Sequence, residues 1–406
     1  VIKSLREKFN AAFSKESYEK QRKDLEARVG VPIEFRTAET PLFIPYELAQ
    51  LACNRAEEIL VRATSPELQQ IGRIAIPAAF NIAEETSKPL FAAIDFAITG
   101  SIDQPKLQLI ELQGFPSLFY FQPCFSLSMQ ESYGLPTELD GLLNHQVTLK
   151  DYYNYLEEAI LEGNDPNEVI LLEIDPYEQK TLPDFLLTQK HLGIPIVNIR
   201  DVTAHGKELF YTTTTGELRK IKRIYNRAIY DELYRKQVTI PFDTNRSYDI
   251  TWAGHPNWYY RISKILLPYL SGLNDAIPAT HFLNKIDFHH LELEQYVLKP
   301  LYSFAGRGVI IGPPKEDIEA IPHHERNDWI LQERVEYCDV IHTPDGNGVK
   351  AELRVLLLWP EANDLPVALH SLIRLSRGKM MGVDFNKGLD WVGSSCGLVE
   401  HTPNAF

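Results

Sequence analysis

The sequence predicts a mixed α+β / α/β chain in three parts, and three patterns carry that prediction. The first 30 positions are highly charged, with Leu5, Phe9 and Phe13 at helical spacing. Strand and helix patterns alternate from Glu168 to Lys236. From Tyr296 onward the patterns are mostly short strands broken by glycine and proline. These imply an N-terminal helical region, a Rossmann-like α/β unit and a set of antiparallel sheets. The divisions fall at residues 1–165, 166–276 and 277–406, with Gly163-Asn164-Asp165-Pro166 as a clear break.

Taken in order, residues 1–30 predict an amphipathic packing helix, and Pro45 to Thr64 a second. Ser65-Pro66-Glu67 starts a third, expected to run to about Thr86, with serine as cap and proline in the first turn. Two strands follow, Pro89 to Ile98 and Lys106 to Leu112, joined by a turn at Gly100 to Pro105. Gly114 to Gly134 is aromatic and is expected to pack beneath the site, and Leu149 to Leu161 is helical. VILLEI (169–174), a helix over Lys180 to Leu192 and IPIVNI (194–199) form a β-α-β unit, right-handed and parallel. A hairpin over Lys207 to Leu218, a strand at Ile221 to Tyr225 and a helix over Ala228 to Lys236 complete the middle. A helix from Asn257 carries Lys264. Trp329 to Val335, Lys350 to Trp359 and Pro366 to Ser376 are the later strands.

Composition excludes several classes. The chain has 406 residues, 44% hydrophobic and 24% charged, within the ordinary globular range. A net charge of −14 argues against nonspecific binding to nucleic acid or to anionic membranes. Cys53, Cys124, Cys338 and Cys396 form no CxxC pair, so a reducing cytoplasm is expected rather than a disulfide framework or zinc knuckle. No apolar run is long enough for a membrane helix, and VIKSLREKFNAAF lacks the core of a signal peptide.

The chemistry concentrates in Tyr296 to Gly312, YVLKPLYSFAGRGVIIG, which reads as strand, turn, strand. Gly306 and Gly308, with Ser303, make a loop that can approach a phosphate closely, and successive N–H groups can cradle an anion. Lys299 would direct a charge to the same group, and a plain hairpin is the bland alternative. Asp95 lies inside one apolar strand and Glu111 near the end of the next, with Gln113 on the same face. Buried acids are costly unless partnered, and two carboxylates with an amide suit Mg²⁺. The strand WILQERV, with Gln332, Glu333 and Val335, can frame an adenine edge.

Together Lys299-Pro300, the glycine loop, WILQERV, ELRV and LIRLSRG resemble the nucleotide-binding half of the ATP-grasp superfamily. Asp95-Phe96 followed by Glu111-Leu112-Gln113, and Lys264 in SKILLPYL, resemble the circularly permuted synthetase domain of glutathionylspermidine synthase and its trypanothione synthetase relatives. That resemblance implies ATP and Mg²⁺ as cofactors and an amide bond made from a carboxylate and an amine through an acylphosphate. Peptide- or polyamine-like small molecules would be the partners. It implies Asp95, Glu111 and Gln113 as metal ligands, Lys264 and Lys299 on the phosphates, and Arg374 at the reaction centre, with Arg377 as runner-up. Glu178 falls near the family's polyamine-binding acidic pair, although its neighbour here is Gln179. Gln113 replaces the family's asparagine and Ala93 its substrate-binding arginine. Three alternatives stay open: Asp384 and Asn386 as metal ligands, Lys285 in place of Lys264, and a degenerate nucleotide-binding module without ligase activity.

Overall fold

The computed structural model describes residues 1–302, 307–378, 380–381 and 386–403. Its centre is a six-stranded sheet. The strands Gly393–Ser395, Val367–Ser376, Gly348–Leu358, Phe91–Gly100 and Pro105–Gln113 lie side by side in that order, each antiparallel to its neighbour. Asp339–His342 pairs with the free length of Gly348–Leu358. The predicted hairpin of strands around Gly100 is therefore joined directly to strands from the far end of the chain.

Alternation gives this sheet two faces. Ile94, Phe96, Ile98, Leu353, Val355, Ile373 and Leu375 enter one apolar cluster, with Ala49, Ala52 and Ala56 of the helix Tyr46–Ala63. Ala93, Leu356 and Leu372 enter the opposite cluster, packed against Phe121, Phe125 and Met129 of the helix Phe121–Ser132. This helix is the element the aromatic stretch hides: its fully buried phenylalanines pack under the sheet, in a helix that the sequence pattern leaves unassigned.

The middle of the chain forms a four-stranded parallel sheet, ordered Thr251–Ala253, Arg223–Asn226, Val169–Glu173, Ile196–Asn198. Val169 and Leu171 face one cluster while Ile170 and Leu172 face another, which explains the unbroken apolar run. The helix Leu182–Leu192 crosses between its strands and ends at Gly193 in the left-handed conformation. The later antiparallel sheet is ordered Thr280–Phe282, Trp329–Glu333, Tyr296–Pro300, Ile310–Ile311.

Three helix predictions shift. Residues 1–30 form two helices, Lys3–Ala12 and Lys15–Val29, because Ser14 caps the second in a reciprocal capping box with Ser17. The helix from Pro66 stops at Ile74, three residues before Pro77, and only a 3₁₀ turn at Ala78–Phe80 follows. The helix at Asn257 ends at Arg261, so Lys264 stands in a 3₁₀ turn, Lys264–Leu266, ahead of Leu267–Leu270. Among the described residues no helix is long and apolar enough to cross a membrane.

Asp184 ties the parallel unit to the helix beneath the central sheet. It is fully buried. Its Oδ1 accepts from the N–H groups of Tyr120 and Phe121 at 2.8 and 2.9 Å, at the start of Phe121–Ser132. Its Oδ2 meets the buried Arg227 guanidinium at 2.7 Å. Removing one partner of such a pair leaves a charge stranded away from water. Asp184→Ala is expected to cost about 3–5 kcal/mol, read as a lower urea midpoint, and Arg227→Met in the same chain should restore part of the loss.

Candidate functional site

The second face of the central sheet carries charge where alternation would otherwise place apolar side chains. Register sets Glu111, Asp95, Arg354 and Leu372 in one row across four strands. The next row holds Ala97, Glu352, Arg374 and Ser394. Arg354 grips Asp95 with two parallel bonds, Nε to Oδ1 at 2.6 Å and Nη2 to Oδ2 at 2.7 Å. Its remaining nitrogen, Nη1, donates to Ser117 Oγ at 3.0 Å. Arg374 Nη2 reaches Asp95 Oδ2 as well, and meets Glu352 Oε2 at 2.6 Å. Tyr337 donates its hydroxyl to Glu352 Oε1.

Burial alone would raise the pKa of Asp95, which has no exposed surface, but the charges of Arg354 and Arg374 outweigh it and the carboxyl is held below its ordinary value. At Glu352 burial prevails over Arg374 and the pKa is raised. For Arg374 burial works against the charge, and Glu352 and Asp95 more than offset it.

One lysine comes from the later sheet and the other from the turn Lys264–Leu266. Lys299, on Tyr296–Pro300, donates to Gln332 Oε1 at 2.6 Å and lies 3.5 Å from the Ile110 carbonyl oxygen. Gln332 is itself buried and anchored through Nε2 to Thr280 Oγ1 at 3.0 Å. Among the described residues Lys299 makes no ion pair, and burial pushes its pKa down to about 8, with Glu111 pulling upward. Lys264 is 9% exposed, and its pKa is likewise lowered by burial and drawn up by Glu111. Glu111 therefore acts electrostatically on both lysines, and also on Arg374.

A cavity of about 990 Å³ opens beside this face. Arg354, Arg374 and Gln113 line it, together with Arg36, Arg227 and Lys387, and Phe35, Phe115 and Trp391 supply apolar wall. Arg36 is brought there by Gly393, whose φ of +117° and missing Cβ let the strand pass the Arg36 carbonyl; a Cβ would stand 2.4 Å from that oxygen.

The sequence-derived residues thus divide. Asp95, Glu111, Lys264, Lys299 and Arg374 gather into one electrostatic cluster, with Gln332 under Lys299. Gly308 closes the hairpin at φ +74° against the Pro300 ring, while Ser303 and Gly306 lie outside the described residues, as does Asp384. The backbone N–H of Glu333 is taken by the Ala279 carbonyl at 2.8 Å, and its exposed carboxylate by the Ala279 N–H at 3.3 Å. Val335 is partly buried in the stretch beyond the strand. Asn386 accepts from Ser376 Oγ and from the N–H groups of Arg377 and Gly378, a loop-fixing role. Arg377 pairs with Asp345 at 2.9 Å, Lys285 is exposed over the Phe282 ring, and Glu178 is exposed.

Mg²⁺ on Asp95, Glu111 and Gln113 does not fit this arrangement. Both Asp95 oxygens already accept from guanidiniums, and a divalent ion there would have to displace Arg354. Among the described residues no group of three His, Cys, Asp or Glu side chains is placed to hold a metal. Arg354 is the residue that sequence reasoning left out. Its signal is the charged alternation in KAELRV, but nothing local tells which acid it would face. Cys396 is buried with its thiol pushed up to about 12, the opposite of an activated nucleophile.

The site therefore belongs to an α+β protein with a charged sheet face beside a basic cavity. No protein-family model matches the chain, and no curated protein matches it. Among solved structures it is similar to a glutathione synthetase-like effector from Globodera pallida in its apo form, with a TM-score of 0.61 and 11% identity over 95% of this chain and 96% of that one. The likeness is one of fold.

The lowered Lys299 pKa makes a stability prediction. The folded value lies below the ordinary 10.5, so the unfolded chain binds more protons between about 8 and 10.5, and stability from this group rises with pH across that window. Lys299→Met is expected to be more stable than wild type below pH 8, with the advantage shrinking toward pH 10.5, as read from urea midpoints across the range.

Proposed function

We propose that the chain is an ATP-dependent carboxylate–amine ligase of ATP-grasp type, similar in chemistry to glutathionylspermidine synthase. One observation carries the reading: a half-buried lysine, Lys299, without an ion-pair partner among the described residues, coupled to Lys264 and to Glu111, which also acts on the Arg374 guanidinium that lines a large basic cavity. A desolvated ammonium of this kind gains most from an anion that brings its own charge. The fold likeness to a protein described as glutathione synthetase-like supports the same class.

In this reading Lys264 and Lys299 hold the nucleotide phosphates. The cavity draws in a carboxylate, one of whose oxygens attacks the γ-phosphorus as ADP leaves. An amine nitrogen then attacks the acyl carbon of the acylphosphate, phosphate departs with the bonding pair, and the amine's proton passes to solvent. Arg374, fixed by Glu352 and Asp95, offers charge to the transferring phosphoryl group without rearranging. No step is assigned to a divalent ion at Asp95. A second reading, a nucleotide-binding module without ligase activity, is favoured by Ala93 and Gln113, which depart from the family pattern.

The first test is the thermal shift with ATP or ADP. Nucleotide at about 100 times its dissociation constant stabilises a fold by roughly 2.7 kcal/mol, so wild type should shift and Lys299→Ala should not. Absence of any shift in wild type at millimolar nucleotide overturns both readings. ADP and phosphate release that depends on an added carboxylate and amine separates ligase from module. Arg374→Lys should keep the nucleotide shift and lose on the order of 10²–10³ in rate.

A further inference from the structure

We propose that Arg354 is a built-in cation holding the place of a divalent ion on Asp95, so that anionic groups entering the cavity meet fixed guanidiniums rather than a metal. All three guanidinium nitrogens are committed: Nε and Nη2 to the two Asp95 oxygens and Nη1 to Ser117. The register places Arg354 directly opposite Asp95 on the neighbouring strand, so the sheet itself delivers the cation. Arg354 also lines the cavity, side by side with Arg374.

Charge counting supports the substitution. Asp95, Glu111 and Glu352 stand against Arg354, Arg374, Lys264 and Lys299, three carboxylates against four cations. Counted over the described residues the cluster is already net positive, and a divalent ion would add two more charges beside the fully buried Asp95. Without Arg354 the balance among these residues is even, and Asp95 Oδ1 and the Glu111 carboxylate, on residues opposite each other on adjacent strands, would be open to a metal while Arg374 keeps Asp95 Oδ2. A positioned guanidinium supplies the same sign of charge with no dependence on metal concentration.

Mn²⁺ titration of wild type, Glu111→Gln and Arg354→Met, followed by the loss of the free-ion electron paramagnetic resonance signal, tests this. Wild type and Glu111→Gln should be indistinguishable, and Arg354→Met should bind the ion at least about tenfold more tightly. Tight binding by wild type that Glu111→Gln weakens by about tenfold or more overturns the proposal, as does a folded Arg354→Met that gains nothing. Should that variant not fold, the comparison of wild type with Glu111→Gln decides alone. A second measurement rests on the nucleotide reading: the ADP-induced thermal shift of wild type should be the same in EDTA and in Mg²⁺. A shift seen only with Mg²⁺ overturns the built-in cation. No shift in either condition sinks the nucleotide reading instead and leaves the Mn²⁺ comparison to decide this one.

Discussion

A carboxylate with no exposed surface, in the middle of an antiparallel sheet, sets the terms for everything around it. Desolvating Asp95 costs several kcal/mol unless cations meet it with good geometry. Arg354 and Arg374 do so from the next two strands. Two guanidiniums on one acid are in turn overcharged, and Glu352 restores the balance while Tyr337 satisfies its other oxygen. The chain of compensation runs across three strands, and each member makes sense only with the others in place. It also fixes register: a slip of one residue would turn Asp95 and Arg354 into the apolar cluster on the opposite face.

The charged face has two halves with different character. Around Asp95 the guanidiniums are bound and rigid. Around Lys299 the ammonium meets neutral oxygens of Gln332 and Ile110 and, among the described residues, no counter-charge within bonding reach. Glu111 lies between, acting on Lys264, Lys299 and Arg374 from the edge strand Pro105–Gln113. The guanidinium half borders the basic cavity, and Glu111 links it electrostatically to the lysines, an arrangement that suits a ligand carrying several negative charges at different points.

Most strands were legible because their apolar alternation is strong and their ends are marked by glycine or proline, as in Phe91–Gly100, Gly348–Leu358 and Val367–Ser376. Asp95 and Glu111 could be placed opposite each other because a short turn joins their strands. The partnership of Asp95 with Arg354 could not, because it depends on how strands from opposite ends of the chain align, and alternation says nothing about that. The helix Phe121–Ser132 was hidden because polar Gln122, Ser126 and Ser128 are buried beside Phe121, Phe125 and Met129, which blurs the helical stripe. Asp95 shows the limit plainly: its residue type calls for a cation, and the guanidiniums that meet it come from strands whose alignment alternation leaves open.

The Asp95–Arg354 pair joins residues 259 positions apart. A ribosome-bound chain therefore leaves Asp95 without its arginine for most of synthesis, and its apolar strand paired on one side only, with Pro105–Gln113. Closing so long a loop is slow relative to local helix formation. The parallel unit around Val169–Glu173 has its strands close in sequence and can form earlier. The half-made protein would then carry a folded middle and an unpaired sheet edge, the kind of intermediate that chaperones hold. The interaction that defines the finished site is thus among the late ones of synthesis, and the Arg374 contact to the same carboxylate comes later still.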